Sequence, residues 1–311
     1  MQPFRLIPEY RERVWGGQRL QAAPKPIGEA WVVYENNRVA DGPWAGRTLG
    51  AIAAAEGERL LGKRPLRQTG VRFPLLIKLL DCQDWLSVQV HPNNAQAVQL
   101  EGPGQFGKTE AWHILEAAPA AQLISGLRPN TTPEALNKAV YGGSLMEIVQ
   151  YVNVKAGDTV FIRAGTVHAL GPGLLLYEVQ QTSDITYRVF DWNRPASAGR
   201  ELHLEKSLAV IDPAAVGRAE PEPELQAGQG VATQCEYFTL EILRSAGEAI
   251  RRDTRRESFH ALTIIDGQAR VSGNGWEAPL ARFETLLIPA ESGEYAVGPV
   301  EGNLRALCSS V

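Results

Sequence analysis

The chain has 311 residues, of which 44% are apolar and 21% charged, so we expect a folded protein with a sizeable core. Its formal net charge of −4 argues against a nucleic-acid partner, because nucleic-acid-binding surfaces are basic. Residues 1–8 lack the features of a signal peptide, and no apolar run reaches the roughly 20 residues that span a bilayer. Three widely spaced cysteines predict free thiols in a reducing compartment. The sequence thus predicts a cytoplasmic protein with no membrane contact and no evident obligate protein partner.

Short apolar runs separated by glycine and proline follow one another along the chain, a pattern typical of a β-sandwich or barrel. Three helical segments interrupt them. The first covers residues 48–61 with Thr48 as its N-cap, the second covers residues 95–100 after Asn94, and the third begins at Thr132. Strands are predicted at residues 29–34, 75–79, 86–90, 112–115, 122–125, 147–153, 159–162, 174–180 and 186–191.

Regular structure is interrupted at residues 212–234, where prolines, glycines and acidic residues predict a linker. We therefore expect a first domain over residues 1–211 and a second over residues 235–311. In the second domain, Asp266-Gly267 is predicted to form a hairpin turn between two strands. The strands of this domain are predicted at residues 237–244, 260–266, 269–272 and 284–289.

The two predicted domains share a sequence pattern. Residues 160–165 (VFIRAG) are echoed by residues 286–290 (LLIPA), and each segment follows a strand and a turn. His168 follows the first segment, whereas no histidine follows the second. We therefore predict a mainly β protein of two related jelly-roll units, with short helical insertions in the N-terminal part. The first unit is expected to carry a metal site, and the second is expected to be structural and to lack one.

Four side chains have the chemistry of a metal site. Gln89 and His91 lie two residues apart in an alternating apolar and polar segment, so they share one face of a predicted strand. Glu110 precedes another predicted strand, and His168 follows a strand and a glycine turn. Two imidazoles, a carboxylate and an amide oxygen suit a borderline divalent ion, zinc first, with a position left open for substrate.

The segment GTVHAL at residues 165–170 resembles the later histidine motif of cupins, a superfamily of small jelly-roll barrels. Arg163 stands where that motif usually has proline, and Gln89-Val90-His91 replaces the usual early pair of histidines. From about residue 3 to residue 195, the chain resembles the short bacterial form of type I mannose-6-phosphate isomerases. The segments that carry this resemblance are VWGG at 14–17, IGEAW at 27–31, LIKLLD at 76–81, LSVQVHP at 86–92, GKTEAW at 107–112 and EVQQTSDITYR at 178–188.

This resemblance implies a cupin-like enzyme that interconverts mannose 6-phosphate and fructose 6-phosphate with one zinc ion per chain. The zinc ligands that it implies are His91, Glu110 and His168, with Gln89 as the fourth.

Three cationic residues are implied to act on the substrate. Arg188 matches the active-site arginine of the family, and Lys78 and Lys108 match lysines that line the sugar-phosphate site. We therefore assign Arg188 and Lys108 to catalysis, and all three residues to substrate binding. Lys108 lies two residues before Glu110, so both side chains face the same side of an extended chain.

The sequence departs from the family pattern at two positions. Gly107 stands where longer relatives have a histidine, so a proton-transfer role for that histidine does not carry over. His113 falls where an aromatic residue is usual, and we expect it to be packed and not to bind the metal.

Two further assignments stay open. Arg188 has an alternative partner in a salt bridge to Asp184 or Asp191. Glu178 and Asp184 are candidates for acid–base groups, or for partners that orient His168.

Three functions fit this set of residues. The leading one is a zinc-dependent isomerase that moves a proton between C1 and C2 of the sugar through a cis-enediol. The same metal site could serve a cupin isomerase of another sugar phosphate or an iron oxygenase, since iron also takes two histidines and a carboxylate. The third is a sugar-phosphate-binding regulator without turnover. The basic residues favour a phosphorylated substrate, and the complete ligand set favours a catalyst.

Overall fold

The structure, a computed structural model, describes residues 1–195 and 200–311. Antiparallel strands make up most of its regular structure, as the sequence predicts, with short helices between them. The strands are β1 (Phe4–Arg5), β2 (Glu9–Gly17), β3 (Ile27–Val33), β4 (Leu75–Cys82), β5 (Val88–Val90), β6 (Glu110–Ala117), β7 (Gln122–Leu127), β8 (Val149–Asn153), β9 (Thr159–Ile162), β10 (His168–Leu170), β11 (Leu174–Gln181), β12 (Tyr187–Phe190), β13 (Ala219–Glu220), β14 (Gln229–Gln234), β15 (Thr239–Ser245), β16 (Ile250–Asp253), β17 (His260–Asp266), β18 (Ala269–Gly273), β19 (Trp276–Leu280), β20 (Thr285–Ile288), β21 (Glu294–Pro299) and β22 (Leu304–Ser310). The helices are α1 (Leu49–Glu56), α2 (Glu58–Leu61), α3 (Lys63–Thr69), α4 (Asn94–Glu101), α5 (Pro133–Gly142) and α6 (Leu204–Val210).

The chain forms two compact units that do not follow sequence order. One comprises Tyr10–Ala30 and Leu79–Pro221, and the other comprises Met1–Glu9, Trp31–Lys78 and Glu222–Val311. The first unit holds a five-stranded sheet, β12-β5-β10-β7-β8, and most of a seven-stranded sheet, β13-β9-β6-β11-β4-β3-β2. We call these sheets the first barrel. The second unit holds a six-stranded sheet, β1-β20-β17-β22-β15-β14, and a four-stranded sheet, β16-β21-β18-β19, which we call the second barrel.

The segment expected to be a linker, residues 212–234, contains two strands. Strand β13 pairs with β9 of the first barrel, and β14 pairs with β15 of the second. The predicted domains, residues 1–211 and 235–311, are segments expected to fold independently. This stays a prediction, which limited proteolysis would test.

The predicted helices form with the expected caps in two of three cases, although the segment predicted as one helix at residues 48–61 forms two, α1 and α2, separated by Gly57. The hydroxyl of Thr48 accepts a hydrogen bond from the backbone N–H of Ala51, and Thr132 caps α5 in the same way. The cap of α4 is Asn93 and not Asn94, because Asn93 exchanges hydrogen bonds with Gln96 in a capping box. In the parts of the chain that the structure describes, no helix has the length and apolar composition needed to cross a bilayer.

The predicted hairpin at Asp266-Gly267 is wrong in its pairing. Gly267 does make a tight turn, with a φ of +76°. However, β17 pairs with β20 and β22, whereas β18 pairs with β19 and β21. The turn therefore leads the chain from one sheet of the second barrel to the other. A short turn between two apolar strands has the same sequence signal in both arrangements.

The middle strands of the five-stranded sheet are buried on both faces. On its outer face, Val88, Val90 and Tyr187 belong to a core that also includes Leu136 of α5 and Val210 of α6. Since successive residues of a strand point to opposite faces, the residues between them point into the first barrel. The alternation that the sequence predicts at Gln89 is therefore what aims this polar side chain inward.

Candidate metal centre

A cluster of three buried side chains lies inside the first barrel. His91, Glu110 and His168 each offer a ligand atom within 4.8 Å of the others. The Nε2 atom of His168 is 3.3 Å from Glu110 Oε1, and the Nε2 atom of His91 is 3.6 Å from Glu110 Oε2. These are three of the four residues that the sequence motifs single out, and the structure brings them together from separate parts of the chain.

Both sheets of the barrel contribute to the cluster. Glu110 opens β6 of the seven-stranded sheet, while His168 opens β10 of the five-stranded sheet. Gln89 on β5 lies directly opposite His168, and its Nε2 atom is 3.2 Å from His168 Nε2. Rotation about the last side-chain bond of Gln89 exchanges the amide nitrogen and oxygen, so this residue can present an oxygen ligand to the same point.

Backbone carbonyls orient the two imidazoles. Nδ1 of His168 donates a hydrogen bond to the carbonyl of Thr166 at 2.9 Å, and Nδ1 of His91 donates to the carbonyl of Ile185 at 2.8 Å. The lone pair of each ring is therefore on Nε2, the atom that faces Glu110. Burial, and then the charge of Lys108, lower the pKa of His168 to about 3. This histidine is thus neutral at pH 7, the state that binds metals.

A cationic group already lies among these atoms. The Lys108 ammonium donates hydrogen bonds to His91 Nε2, at 2.9 Å, and to Glu110 Oε2. The Lys108 side chain is 3% exposed, so this ion pair is shielded from water. The acceptors of the cluster converge on a positive charge, as they would on a metal ion.

Arg188 lies beside the cluster on the edge strand of the five-stranded sheet. It pairs with Gln89 across β12 and β5, so the two side chains share a face with His168. Its Nη1 atom donates to the carbonyl of Glu201 at 2.9 Å. Its Nε atom is buried and has no hydrogen-bond partner among the described residues. Burial, followed by the charge of Arg200, lowers the pKa of Arg188 from its ordinary value.

One alternative acidic partner of Arg188, Asp191, is engaged by other cations. Asp191 forms ion pairs with Arg194, at 3.1 Å, and with Arg200. The guanidinium of Arg188 is half-buried and directs one hydrogen bond to a backbone carbonyl, which leaves donors for an anionic ligand.

Lys78 is buried in β4 at 6% exposure. Its ammonium lies 5.3 Å from the centre of the Trp31 ring, within the range of a cation–π contact. A buried lysine is costly unless it is compensated, and β4 lies inside its sheet, so Lys78 is not an ordinary exposed lysine at a strand edge.

The structure gives contacts for Glu178, whose role the sequence left open, and for His113. Glu178 Oε2 accepts a hydrogen bond from Trp112 Nε1 at 3.0 Å, whereas the carbonyl of Thr166 orients His168. His113 alternates with Glu110 and Trp112 on β6 and faces away from the cluster, with Nδ1 hydrogen-bonded to Thr159 Oγ1 at 2.9 Å. It is packed, as expected.

Sequence reasoning missed three contributors to the site. Trp112 belongs to the apolar core of the barrel, and its ring also packs edge-on against His168 with centroids 5.4 Å apart. The sequence could not indicate that the carbonyls of Thr166 and Ile185 orient the two histidines, because every residue has a backbone carbonyl.

Gly107 has no room for a side chain. A Cβ atom at this position would lie 2.5 Å from the backbone carbon of Asn93, and the Gly107 N–H donates to Asn94 Oδ1 at 2.8 Å. The N-terminus of α4 packs so closely against Gly107 that a histidine would not fit at this position.

The fold and the site together define a two-barrel protein of the cupin type, with a His–Glu–His cluster in one barrel. A model of the phosphomannose isomerase type I catalytic domain matches residues 4–111. Mannose-6-phosphate isomerase ManA of Bacillus subtilis is 33% identical over 308 residues, which are 94% of this chain and 95% of that protein. The mannose-6-phosphate isomerase of Streptococcus mutans is 32% identical, over 93% of this chain and 92% of that protein.

Solved structures of phosphomannose isomerases have the same fold as this chain. The crystal structure of the mannose 6-phosphate isomerase from Bacillus subtilis superposes with a TM-score of 0.88 at 29% identity, covering 100% of both chains. A phosphomannose isomerase mutant from Salmonella typhimurium has a TM-score of 0.79 at 16% identity, over 99% of both chains, which supports the fold alone. The chain belongs to the type I phosphomannose isomerase family. The family resemblance and the cupin-like fold predicted from the sequence are therefore confirmed, as is the prediction of an isomerase of this family.

Proposed function

We propose that the protein interconverts D-mannose 6-phosphate and D-fructose 6-phosphate with one divalent ion per chain, zinc first. The observation that supports this most strongly is the buried cluster of His91, Glu110 and His168 in a member of this family. Three free cysteines support a reducing compartment, and we propose the cytoplasm.

The side chains present fit a zinc ion. Two neutral imidazoles with their lone pairs on Nε2, and one carboxylate, are a common ligand set for catalytic zinc. We propose that His91, Glu110 and His168 hold the ion and that Gln89 is the fourth ligand. Zinc would supply a Lewis acid for the sugar oxygens, a contribution of several kcal/mol to charge stabilisation.

Lys108 is the group that we assign to proton transfer. Isomerisation moves a proton between C1 and C2 of the open-chain sugar through a cis-enediol, so a positioned group must accept and return a proton. Lys108 is buried, with its Nζ atom 2.9 Å from His91 Nε2, next to the proposed metal ligands. As the free amine it would accept the proton from one sugar carbon, and as the resulting ammonium it would return that proton to the neighbouring carbon.

Arg188 and Lys78 are the groups that we assign to anionic parts of the substrate. A guanidinium stays ionised and binds two oxygens at once, which suits a phosphate or the developing negative charge on the sugar. The unpartnered Nε of Arg188 supports this role. Lys78 is a buried cation, and we propose that it also contacts the substrate.

The test combines metal analysis with turnover. Protein purified without chelators is expected to contain about one zinc ion per chain and to convert mannose 6-phosphate to fructose 6-phosphate in a coupled assay. EDTA should remove activity, and added zinc should restore it. His168→Ala should lose both metal and activity.

His113→Gln is the matched control, since His113 is an equally buried histidine of the same barrel outside the cluster. It should keep its metal. Tight binding of mannose 6-phosphate without conversion would support the regulator instead. Oxygen consumption with bound iron, and no turnover of any hexose phosphate, would support the oxygenase.

A further inference from the structure

A second polar cavity lies in the second barrel, far in sequence from the metal cluster. Its volume is about 790 Å³, which is within the roughly 300–1,000 Å³ range of small-molecule sites. The walls come from strands β14 to β18, β21 and β22, with Arg64 and Glu257 at the rim. All lining residues belong to the unit that contains Glu222–Val311.

The cavity is polar where the rest of the barrel interior is apolar. Along β16, Ile250 belongs to the apolar core, and Arg252, two residues on, lines the cavity. The same change occurs on β15 from Leu243 to Glu241, and on β17 from Leu262 to His260. Because residues two apart share a face, these polar side chains point into the same interior at one end of the barrel.

The inner wall carries balanced charge. Arg252 donates hydrogen bonds to Glu241 and, at 2.6 Å, to Gln229 Oε1. His260 Nδ1 and the Tyr295 hydroxyl are 2.7 Å apart. Burial, and then Arg252, lower the pKa of His260 to about 3, while burial raises the pKa of Tyr295 well above its usual value. One cation, one anion and two neutral groups therefore face the cavity.

The rim is balanced in the same way. Its cations are Arg64, Arg251 and Arg255, and its anions are Asp253, Glu257 and Glu294. A site for a phosphate or another small ion would have an excess of the opposite charge. This cavity instead offers alternating donors and acceptors without net charge, together with the hydroxyls of Thr239, Ser272 and Ser310.

One buried donor has no partner. The Arg252 side chain is 7% exposed, and its Nε atom is buried without a hydrogen bond among the described residues. A buried ion pair is seldom more stabilising than apolar packing, and an unpaired donor costs free energy. The polar end of this barrel is therefore poorly explained as a structural feature, and its polar lining suits a ligand that carries several hydroxyls.

We propose that the second barrel binds a small, uncharged, polyhydroxylated molecule, a free sugar or polyol, in the cavity around Arg252 and His260. Arginine, carboxylate and amide groups pair with several hydroxyls at once, and such groups line this cavity. The cavity shares no residue with the metal cluster and needs no charge on its ligand. It replaces the expectation that the second unit is only structural.

The direct test is a crystal of the zinc-loaded protein soaked with free mannose or mannitol, with a parallel soak in inorganic phosphate. The proposal expects sugar or polyol density in the cavity, against the side chains of Glu241, Arg252 and His260, and no phosphate there. Titration calorimetry with the same three probes should give binding of mannose or mannitol that the cavity variants weaken. Phosphate in the cavity, sugar only in the first barrel, or no density at 100-fold molar excess would each overturn the proposal.

Variants assign the binding to the cavity. Thr239→Trp fills the mouth and should weaken binding at least tenfold, while Gln268→Trp, at an exposed turn of the same barrel, should change it less than twofold. Both should keep the isomerase rate. Tyr295→Phe keeps the ring and removes the hydroxyl, and serves if the tryptophan variant misfolds; it should weaken binding several-fold. Unchanged sugar affinity in the folded cavity variants would contradict the proposal.

Discussion

Gln89 and His168 lie directly opposite each other on two antiparallel strands, with Gln89 Nε2 3.2 Å from His168 Nε2. The pairing continues to Arg188 on the other side of Gln89. Three residues separated by up to 99 positions in the chain (188 − 89) thus form one row across the sheet. Strand register, and not proximity in sequence, decides which polar side chains share the barrel interior.

Gln89→Leu should weaken zinc binding without abolishing it. The substitution keeps the size of the side chain and removes the amide next to His168, so we expect the dissociation constant for zinc to rise roughly 10- to 100-fold. Competition with a chromogenic chelator measures this. The control is Gln122→Leu in β7 of the same sheet, where the amide contacts Asn153 at the surface. Equal zinc affinity in both variants would remove Gln89 from the ligand set.

Arg188→Ala should keep its metal and lose most of its turnover. Removing a charged donor that stabilises developing negative charge typically costs about 10²- to 10³-fold in kcat. Arg163→Ala is the control, since Arg163 is exposed and pairs with Asp212. Zinc content and kcat are measured on both proteins. A normal rate in the Arg188 variant would exclude it from catalysis.

Lys108→Met should destabilise the metal-free protein more than the zinc-bound one. In the absence of metal, the Lys108 ammonium is the cation that contacts buried Glu110. Removing one partner of a buried pair typically costs about 3–5 kcal/mol, so the free energy of unfolding in EDTA should fall by that order. Zinc should restore much of the loss by neutralising the same carboxylate. Denaturant unfolding with and without zinc provides the comparison, and equal losses in both conditions would contradict the pairing.

The sequence was sufficient to predict the residues of the cluster but not their surroundings. Alternation around Gln89 and His91 and the glycine turn before His168 are local signals, and local signals survive in a single sequence. The carbonyls that orient the histidines depend on the path of loops, as does the tight approach of Asn93 to Gly107.

The division of the chain was harder to predict for a related reason. Strand β1, at Phe4–Arg5, pairs with β20, at Thr285–Ile288, so residues from the start of the chain belong to the second barrel. A pairing across nearly the whole chain leaves no trace in composition, whereas the proline-rich stretch at 212–234 resembles a linker although it contains strands β13 and β14.

Gly107→Ala should destabilise the protein although glycine to alanine often stabilises. The new methyl group would meet the Asn93 backbone at 2.5 Å, and such overpacking typically costs about 1–3 kcal/mol. Gly142→Ala is the control, since nothing lies within 4 Å of its Cβ position near the end of α5. Thermal unfolding of both variants would test this. A melting temperature for Gly107→Ala above that of the parent protein would show that the N-terminus of α4 moves to make room for the methyl group at little cost.

His260 should make the metal-free protein less stable as the pH falls below about 6.5. Its pKa is about 3 in the folded state, first because of burial and then because of Arg252, whereas an unfolded histidine titrates near 6.5. Above pH 6.5 the ring is neutral in both states and contributes nothing. Between pH 6.5 and 3 the unfolded state binds a proton that the folded state does not, so the free energy of unfolding falls by up to about 1.4 kcal/mol per pH unit.

The comparison that isolates this effect is His260→Gln, which keeps a polar side chain but cannot be protonated. His168 titrates in the same direction, and it is present in both proteins, so its contribution cancels in the difference. Unfolding by urea at pH values from 7.5 to about 4.5, in EDTA, should give a steeper loss of stability for the parent protein than for the variant. Parallel curves would mean that His260 takes up its proton inside the folded barrel, and that water reaches the polar end of the cavity freely.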